Sequence, residues 1–251
     1  MSEDKYDLSL FIENSFNETI DYLKKNNIRI GDRLSLRIFE SLEKFQQIYK
    51  TNEKFEFASY DSEKREIQII KNGLKRIVNS NINESNKIFI GNLFTITHNG
   101  ILWPVYKNDN DIEKIIAKAV TDSIVTHEIG HAVIHSIGSS GEWKASVFEF
   151  LVYFYKNELY KYPEVYEIME RNMKTCERII QEKYPSPYSL GSCLANDFVY
   201  IYENLLNKDK QSPKLDIKST IEKLKYFSRD DEIDATKMIN TLTKILILLY
   251  K

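Results

Sequence analysis

The sequence predicts an α+β protein that is predominantly α-helical, with a small antiparallel sheet in its N-terminal half. Apolar and polar residues alternate between positions 55 and 106, as is typical of strands. Asn99-Gly100 stands between two apolar runs and is a strong hairpin signal. From Asp111 onward apolar residues recur at helical spacing, so we expect the C-terminal half to be all helical.

In the first half, the pattern predicts helices and then strands. Helical spacing favours helices over 8–26 and 34–48. The later segments are predicted as a hairpin at 55–59 and 66–70, a short helical connection at 74–79, and strands at 87–90, 93–97 and 101–106. Because Pro104 cannot donate to a strand ladder, we expect the last strand to lie at a sheet edge.

In the second half, glycine and proline breaks separate the predicted helices. These are expected at 111–137, 143–159, 163–183, 188–206, 216–227 and 230–250. The loop Gly138–Gly141 is the best candidate boundary. We therefore expect a mixed lobe at 1–138, which ends in the predicted helix 111–137, and an all-helical lobe at 139–251.

The composition is that of an ordinary folded protein. With 29% charged residues and a net charge of −2, the chain gives no reason to expect a nucleic-acid or anionic-membrane partner. The start, MSEDKYDL, lacks the layout of a signal peptide and no apolar run is long enough to span a bilayer, so we expect a cytoplasmic protein. Cys176 and Cys193 make no disulfide framework, and we expect two buried, reduced thiols. The oligomeric state stays open.

The helix at 111–137 carries an H-E-x-x-H pattern. His127 and His131 are four residues apart and so lie on one helix face, where both imidazoles can bind one metal ion. Glu128 is rotated from His127 by about 100° and can reach a water on the metal without binding the metal itself. The pattern therefore predicts one zinc ion, with Glu128 as the general base.

A catalytic zinc also needs a third protein ligand, and the next predicted helix offers two glutamates. Glu149 is embedded in the apolar run 146–155, and burying a lone carboxylate is costly unless it is paired or binds a metal. Glu142 follows the glycine-serine loop, where an acidic residue commonly stabilises a helix N-terminus. We expect Glu149 to be the ligand, with Glu142 as the competitor. His135 is expected to be a structural histidine, and His98 a loop residue.

These residues resemble the gluzincin group of zinc metallopeptidases, the thermolysin-like and lethal-factor-like enzymes. In that group a ligating glutamate follows H-E-x-x-H on the next helix. The resemblance covers residues 124–149 and implies a zincin-like fold with a zinc ion held by His127, His131 and Glu149. It also implies hydrolysis of peptide bonds, with Glu128 as general base on a zinc-bound water.

The chain departs from this group at Tyr153, where thermolysin-like enzymes carry an acidic residue that orients a ligand histidine. That role would then fall to a backbone carbonyl or to another acid such as Asp122 or Asp197. Metzincins are excluded, because their glycine and third histidine are replaced here by Ile134 and Ile137.

Two further interpretations of the sequence stay open. Regulatory proteases of the ImmA/IrrE type carry a sequence similar to HEIGHAVIH. In addition, Glu142 with Ala145 and Phe148 resembles a motif that follows later in those proteases. A zinc-containing regulatory or interaction protein without turnover would also carry these ligands.

For a peptidase, Tyr188 is the candidate donor to the anionic oxygen of the tetrahedral intermediate. The peptide or protein substrate is expected to lie along 101–106 as an added strand. The sequence does not distinguish endopeptidase from exopeptidase activity.

Overall fold

The computed structural model describes residues 6–31, 33–52, 55, 57–83, 87–134, 141–182, 185–206 and 215–225. Within these ranges the chain is α+β, with eight α-helices and two three-stranded sheets. His135 and the predicted helix 230–250 lie outside the described residues. No helix in the described ranges is long and apolar enough to cross a bilayer.

The helices follow the predicted order. Their bounds are α1 Leu8–Lys25, α2 Leu42–Tyr49, α3 Lys71–Asn83, α4 Ile112–Ile134, α5 Glu142–Lys156, α6 Glu164–Ile180, α7 Pro187–Val199 and α8 Ile217–Leu224. A short 3₁₀ helix at Leu159–Lys161 follows α5, and a π-helical segment at Tyr200–Leu206 continues α7. The strands are β1 Ser35–Phe39, β2 Ala58–Asp61, β3 Glu66–Ile70, β4 Phe89–Ile90, β5 Leu93–His98 and β6 Ile101–Tyr106.

The first sheet has the order β1-β3-β2. The predicted hairpin of β2 and β3 is confirmed, and β1 pairs with β3 in parallel. The prediction of one helix over 34–48 is therefore wrong in its first half. Leu36 and Ile38 fit helical spacing as well as strand alternation, and pairing with Ile67 and Ile69 makes them part of a strand.

The second sheet is antiparallel, with the order β4-β5-β6. Asn99 and Gly100 both have positive φ, 50° and 79°, as a two-residue type I′ hairpin turn requires. Pro104 lies on the edge strand β6, as predicted.

Helix α4 forms the centre of the molecule. It begins after Asp111, whose carboxylate accepts a hydrogen bond from the backbone N–H of Lys114. From Ile115 to Ile134 every residue except Lys118 is buried, because α1, α3, α5 and the first sheet pack around the helix. One hydrophobic core joins residues from both predicted lobes.

Close helix packing depends on two glycines. A Cβ on Gly130 of α4 would lie 2.9 Å from Cδ1 of Phe148 on α5. A Cβ on Gly191 of α7 would lie 2.2 Å from the carbonyl oxygen of Trp143 on α5. At these two glycines α5 lies so close to α4 and to α7 that no larger residue would fit without a shift.

Cys176 of α6 and Cys193 of α7 form a disulfide, with their Cα atoms 5.3 Å apart. The prediction of two reduced thiols is wrong, because the two helices pack side by side and bring these buried residues into contact. Disulfides are typical of oxidising compartments. The cytoplasmic location stays a prediction.

Candidate metal centre

The two histidines of α4 converge on one carboxylate oxygen. Their ring centroids are 4.9 Å apart, and both rings are buried. Nε2 of His127 lies 3.0 Å from Oε2 of Glu142, and Nε2 of His131 lies 3.2 Å from the same oxygen. Glu142, the first residue of α5, therefore faces both imidazoles at once.

This group has the donors of a metal site. One ligand atom from each of His127, His131 and Glu142 lies within 4.8 Å of the others. Two imidazole nitrogens and one carboxylate oxygen are a donor set that zinc accepts in catalytic sites, with a fourth position left open. The Glu142 side chain is 24% exposed, so the group opens to solvent on the Glu142 side.

Glu149 lies on the opposite side of His127. Its Oε2 is 3.0 Å from Nδ1 of His127 and also accepts from Nδ2 of Asn99 at 3.3 Å. Its Oε1 accepts from Nε2 of His98 at 2.8 Å and from the hydroxyl of Ser123. The side chain is 1% exposed, and four donors surround its charge.

The geometry therefore favours Glu142 as the third ligand over Glu149, the residue expected from the sequence, and the identity of the ligand stays a prediction. The buried charge of Glu149 needs compensation, and hydrogen bonds from polar side chains provide it without a metal ion. Glu142, two helical turns earlier on α5, is the carboxylate that reaches the Nε2 side of the histidines.

Glu149 lies where a group that orients His127 is expected, a role for which a backbone carbonyl or another acid such as Asp122 or Asp197 was predicted. Asp122 is paired with Lys156, and Asp197 accepts a hydrogen bond from Asn196. The acid that contacts a candidate ligand histidine through its second nitrogen is Glu149.

The electrostatics of the group suit a cation. Burial favours the neutral imidazole of His127, but the hydrogen bonds that the ring donates to Glu142 and Glu149 outweigh this and raise its pKa to about 10. Burial raises the pKa of Glu149, yet the neighbouring histidines bring it down to about 2. The pKa of Glu142 is lowered for the same reason. A positive charge is therefore stabilised between these carboxylates.

Glu128 is buried beside this group without belonging to it. Burial raises the pKa of its carboxyl, while the charges of His127 and His131 act in the opposite direction. A carboxyl group with a raised pKa is suited to accept and release a proton near neutral pH.

Tyr188 is brought to the same place by the N-terminus of α7. Its ring centroid lies 5.5 Å from that of His127, and the residue is 43% exposed. Burial of the hydroxyl and the nearby Glu142 raise its pKa, so the phenol keeps its proton at neutral pH. The structure thus places Tyr188 beside the group formed by His127, His131 and Glu142. Its role as a donor stays a prediction.

Other side chains contact the outer edge of β6, and this argues against the predicted substrate path along 101–106. The backbone N–H of Leu102 donates to Oδ1 of Asn172, and the carbonyl of Leu102 accepts from Nδ2 of Asn172, both at 2.8 Å. Pro104 has no N–H, and its carbonyl accepts from the hydroxyl of Tyr153. Side chains of α6 and α5 therefore occupy the outer edge of this strand.

Two residues of the site were missed from sequence. His98 was expected to be a loop residue, but it ends β5 and contacts Glu149. Ser123 contacts the same two side chains from α4. Ser123 precedes His127 by four residues on one helix face, and that spacing was a usable signal. No comparable signal marked His98, which is 51 positions from Glu149.

Comparison of the chain with protein-family models, with curated proteins and with solved structures finds no match. Any proposal for its function therefore depends on the site itself.

Proposed function

We propose that the protein is a zinc-dependent metallopeptidase with a zincin-like fold and a single zinc ion held by His127, His131 and Glu142. The observation that carries this proposal is the convergence of both Nε2 atoms on one oxygen of Glu142, at 3.0 and 3.2 Å. The contact between Glu149 and Nδ1 of His127 supports it, because metal-binding histidines commonly donate their second N–H to a carboxylate.

Zinc bound there would polarise a scissile carbonyl and lower the pKa of a water molecule toward about 7. Glu128 takes a proton from the water and passes it to the leaving amine. Its buried position raises its pKa, which helps the carboxyl hold the proton between these two steps. Tyr188 keeps its hydroxyl proton and donates a hydrogen bond to the developing anionic oxygen.

A second candidate is an ImmA/IrrE-like regulatory protease, which would use the same chemistry. It is favoured by Glu142, Ala145 and Phe148, the residues that resemble the later motif of those proteases. Glu142 faces the histidines, and a Cβ on Gly130 of the H-E-x-x-H segment would lie 2.9 Å from Cδ1 of Phe148 and 3.3 Å from the carbonyl oxygen of Ala145. The resemblance therefore falls on residues that build the site.

The test is Glu128→Gln, which keeps the size of the side chain and removes the base. We expect unchanged zinc content and loss of peptide hydrolysis by about 100-fold or more. Zinc is measured by elemental analysis, and hydrolysis is measured on a mixed peptide library by mass spectrometry. Glu170→Gln, an exposed change on α6, is the matched control and should behave as wild type.

Three results would contradict the proposal in different ways. Hydrolysis by Glu128→Gln at the wild-type rate would remove the catalytic role of Glu128. Wild-type protein that holds zinc but cleaves no peptide in the library would favour the zinc-containing interaction protein. Wild-type protein without zinc would remove the metal centre altogether.

A further inference from the structure

A buried chain of hydrogen bonds joins His127 to the tip of the β5–β6 hairpin. Nδ1 of His127 contacts Oε2 of Glu149 at 3.0 Å, and Oε1 of Glu149 contacts Nε2 of His98 at 2.8 Å. The hydroxyl of Ser123 lies between them, 2.7 Å from Nε2 of His98 and in contact with Oε1 of Glu149. Residues from α4, α5 and the hairpin thus meet at one carboxylate.

The chemistry of the carboxylate fixes the direction of these hydrogen bonds. An ionised carboxylate only accepts, so His127 donates from Nδ1 and His98 donates from Nε2. In the structure Nε2 of His127 also donates to a carboxylate, Oε2 of Glu142. An ion bound in place of the Nε2 proton would leave the proton on Nδ1, where the contact with Glu149 would hold the tautomer and the ring orientation that a metal ligand needs.

His98 is itself held rigidly. Its ring packs edge-on against Trp103, with centroids 4.9 Å apart and an interplanar angle of 86°, and Trp103 is buried in the core. The tight turn at Asn99 and Gly100 follows directly. A donor fixed by the sheet in this way can hold Glu149 in one position, whereas a donor on a mobile loop could not.

We propose that His98 is a positioning residue for the metal site, acting on His127 through Glu149. This inference rests on the proposed function, because it concerns how the same site holds its ion. The hairpin thereby contributes to metal affinity without touching the metal.

The test separates the hydrogen bond of His98 from its packing. His98→Phe keeps a ring against Trp103 and removes the donor, whereas His98→Gln loses the ring and keeps a donor for Glu149. The dissociation constant for Zn²⁺ is measured by competition with a chromogenic chelator. We expect affinity to fall about 10-fold in His98→Phe, the lower end of the range for a direct partner of a metal ligand, because His98 acts one contact further away. In His98→Gln affinity should stay within about 3-fold of wild type.

Thermal unfolding of each variant in chelator shows whether it folds. If His98→Phe does not fold, His98→Asn takes its place, because its shorter amide cannot reach Glu149 and the same loss of affinity is expected. A packing role alone predicts the opposite order, with His98→Gln impaired and His98→Phe normal, and that order would overturn the inference.

The outcomes also separate this inference from the proposed function. Wild-type affinity in both His98→Phe and His98→Asn would remove the positioning role while leaving the metal centre intact. Failure of the wild-type protein to bind Zn²⁺ would overturn both.

Discussion

Glu142 and Glu149 lie two helical turns apart on α5 and contact opposite nitrogens of one imidazole. Glu142 is 3.0 Å from Nε2 of His127, and Glu149 is 3.0 Å from Nδ1. A metal bound by Nε2 can be reached from the Glu142 side only. If an ion binds Nε2 of His127 as proposed, the two carboxylates would have different tasks, Glu142 toward the ion and Glu149 toward the ring that holds it.

Matched amide substitutions test this division. Glu149→Gln keeps the shape of the orienting group, and we expect zinc affinity to fall about 10- to 100-fold. Glu142→Gln replaces the charged ligand itself, and its affinity should fall further. Both constants are measured by chelator competition, with Glu170→Gln as the control. A larger loss in Glu149→Gln than in Glu142→Gln would restore Glu149 as the ligand.

For single residues, spacing within one helix is enough to predict which side chains lie on the same face. The placement of His127 and His131 on one face of α4 follows from their separation of four residues. The choice between Glu142 and Glu149 could not be predicted in the same way. It depends on how α5 lies against α4, which is set by the contact of Phe148 with Gly130.

Among the elements, α5 and α7 lie close together at Gly191. An added Cβ would lie 2.2 Å from the carbonyl oxygen of Trp143 and 2.7 Å from Cβ of Ser146. The nearest atom is a backbone carbonyl oxygen, which cannot turn away as a flexible side chain could. A larger residue at Gly191 would therefore fit only if the two helices moved apart. The position of Tyr188, three residues earlier on α7, depends on this packing.

We therefore expect Gly191→Ala to lower the free energy of unfolding by about 1–3 kcal/mol, although alanine favours helices. The measurement is urea denaturation. Ser192→Ala is the neighbouring control. Within the described part of the chain the buried hydroxyl of Ser192 has no hydrogen-bond partner, so its removal should be neutral or slightly stabilising. Equal stability of Gly191→Ala and wild type would show that the helices can separate without cost.

The order and type of most elements could be predicted because helical spacing and strand alternation persist over long segments. The first half of 34–48 could not, since Leu36 and Ile38 suit both patterns. Pairing with β3, about 30 positions away, decided the outcome. The disulfide had no local signal either, because it depends on the packing of α6 against α7.

At the scale of the whole molecule, the proposed ion would join the two halves of the chain. His127 and His131 lie in the last two turns of the central helix α4, and Glu142 is the first residue of α5 in the second half. An ion that binds only this folded arrangement stabilises the entire protein.

Zinc should therefore raise the melting temperature. At free zinc about 100-fold above the dissociation constant, the stabilisation is about 2.7 kcal/mol. For a chain of this size this corresponds to a rise of roughly 5–10 °C, and chelator should reverse it. Differential scanning calorimetry measures the shift, and Glu142→Gln should show little of it. A melting temperature unaffected by zinc and chelator would contradict a metal site that spans both halves.

The side chain of Asn172 has a consequence for solubility. Strand β6, with the sequence ILWPVY, is apolar and lies at the edge of its sheet, where unpaired backbone groups would offer a template for another chain. The amide of Asn172 satisfies both outward groups of Leu102, and Pro104 offers no donor. One side chain of α6 and one proline thus protect the folded protein against aggregation through this strand.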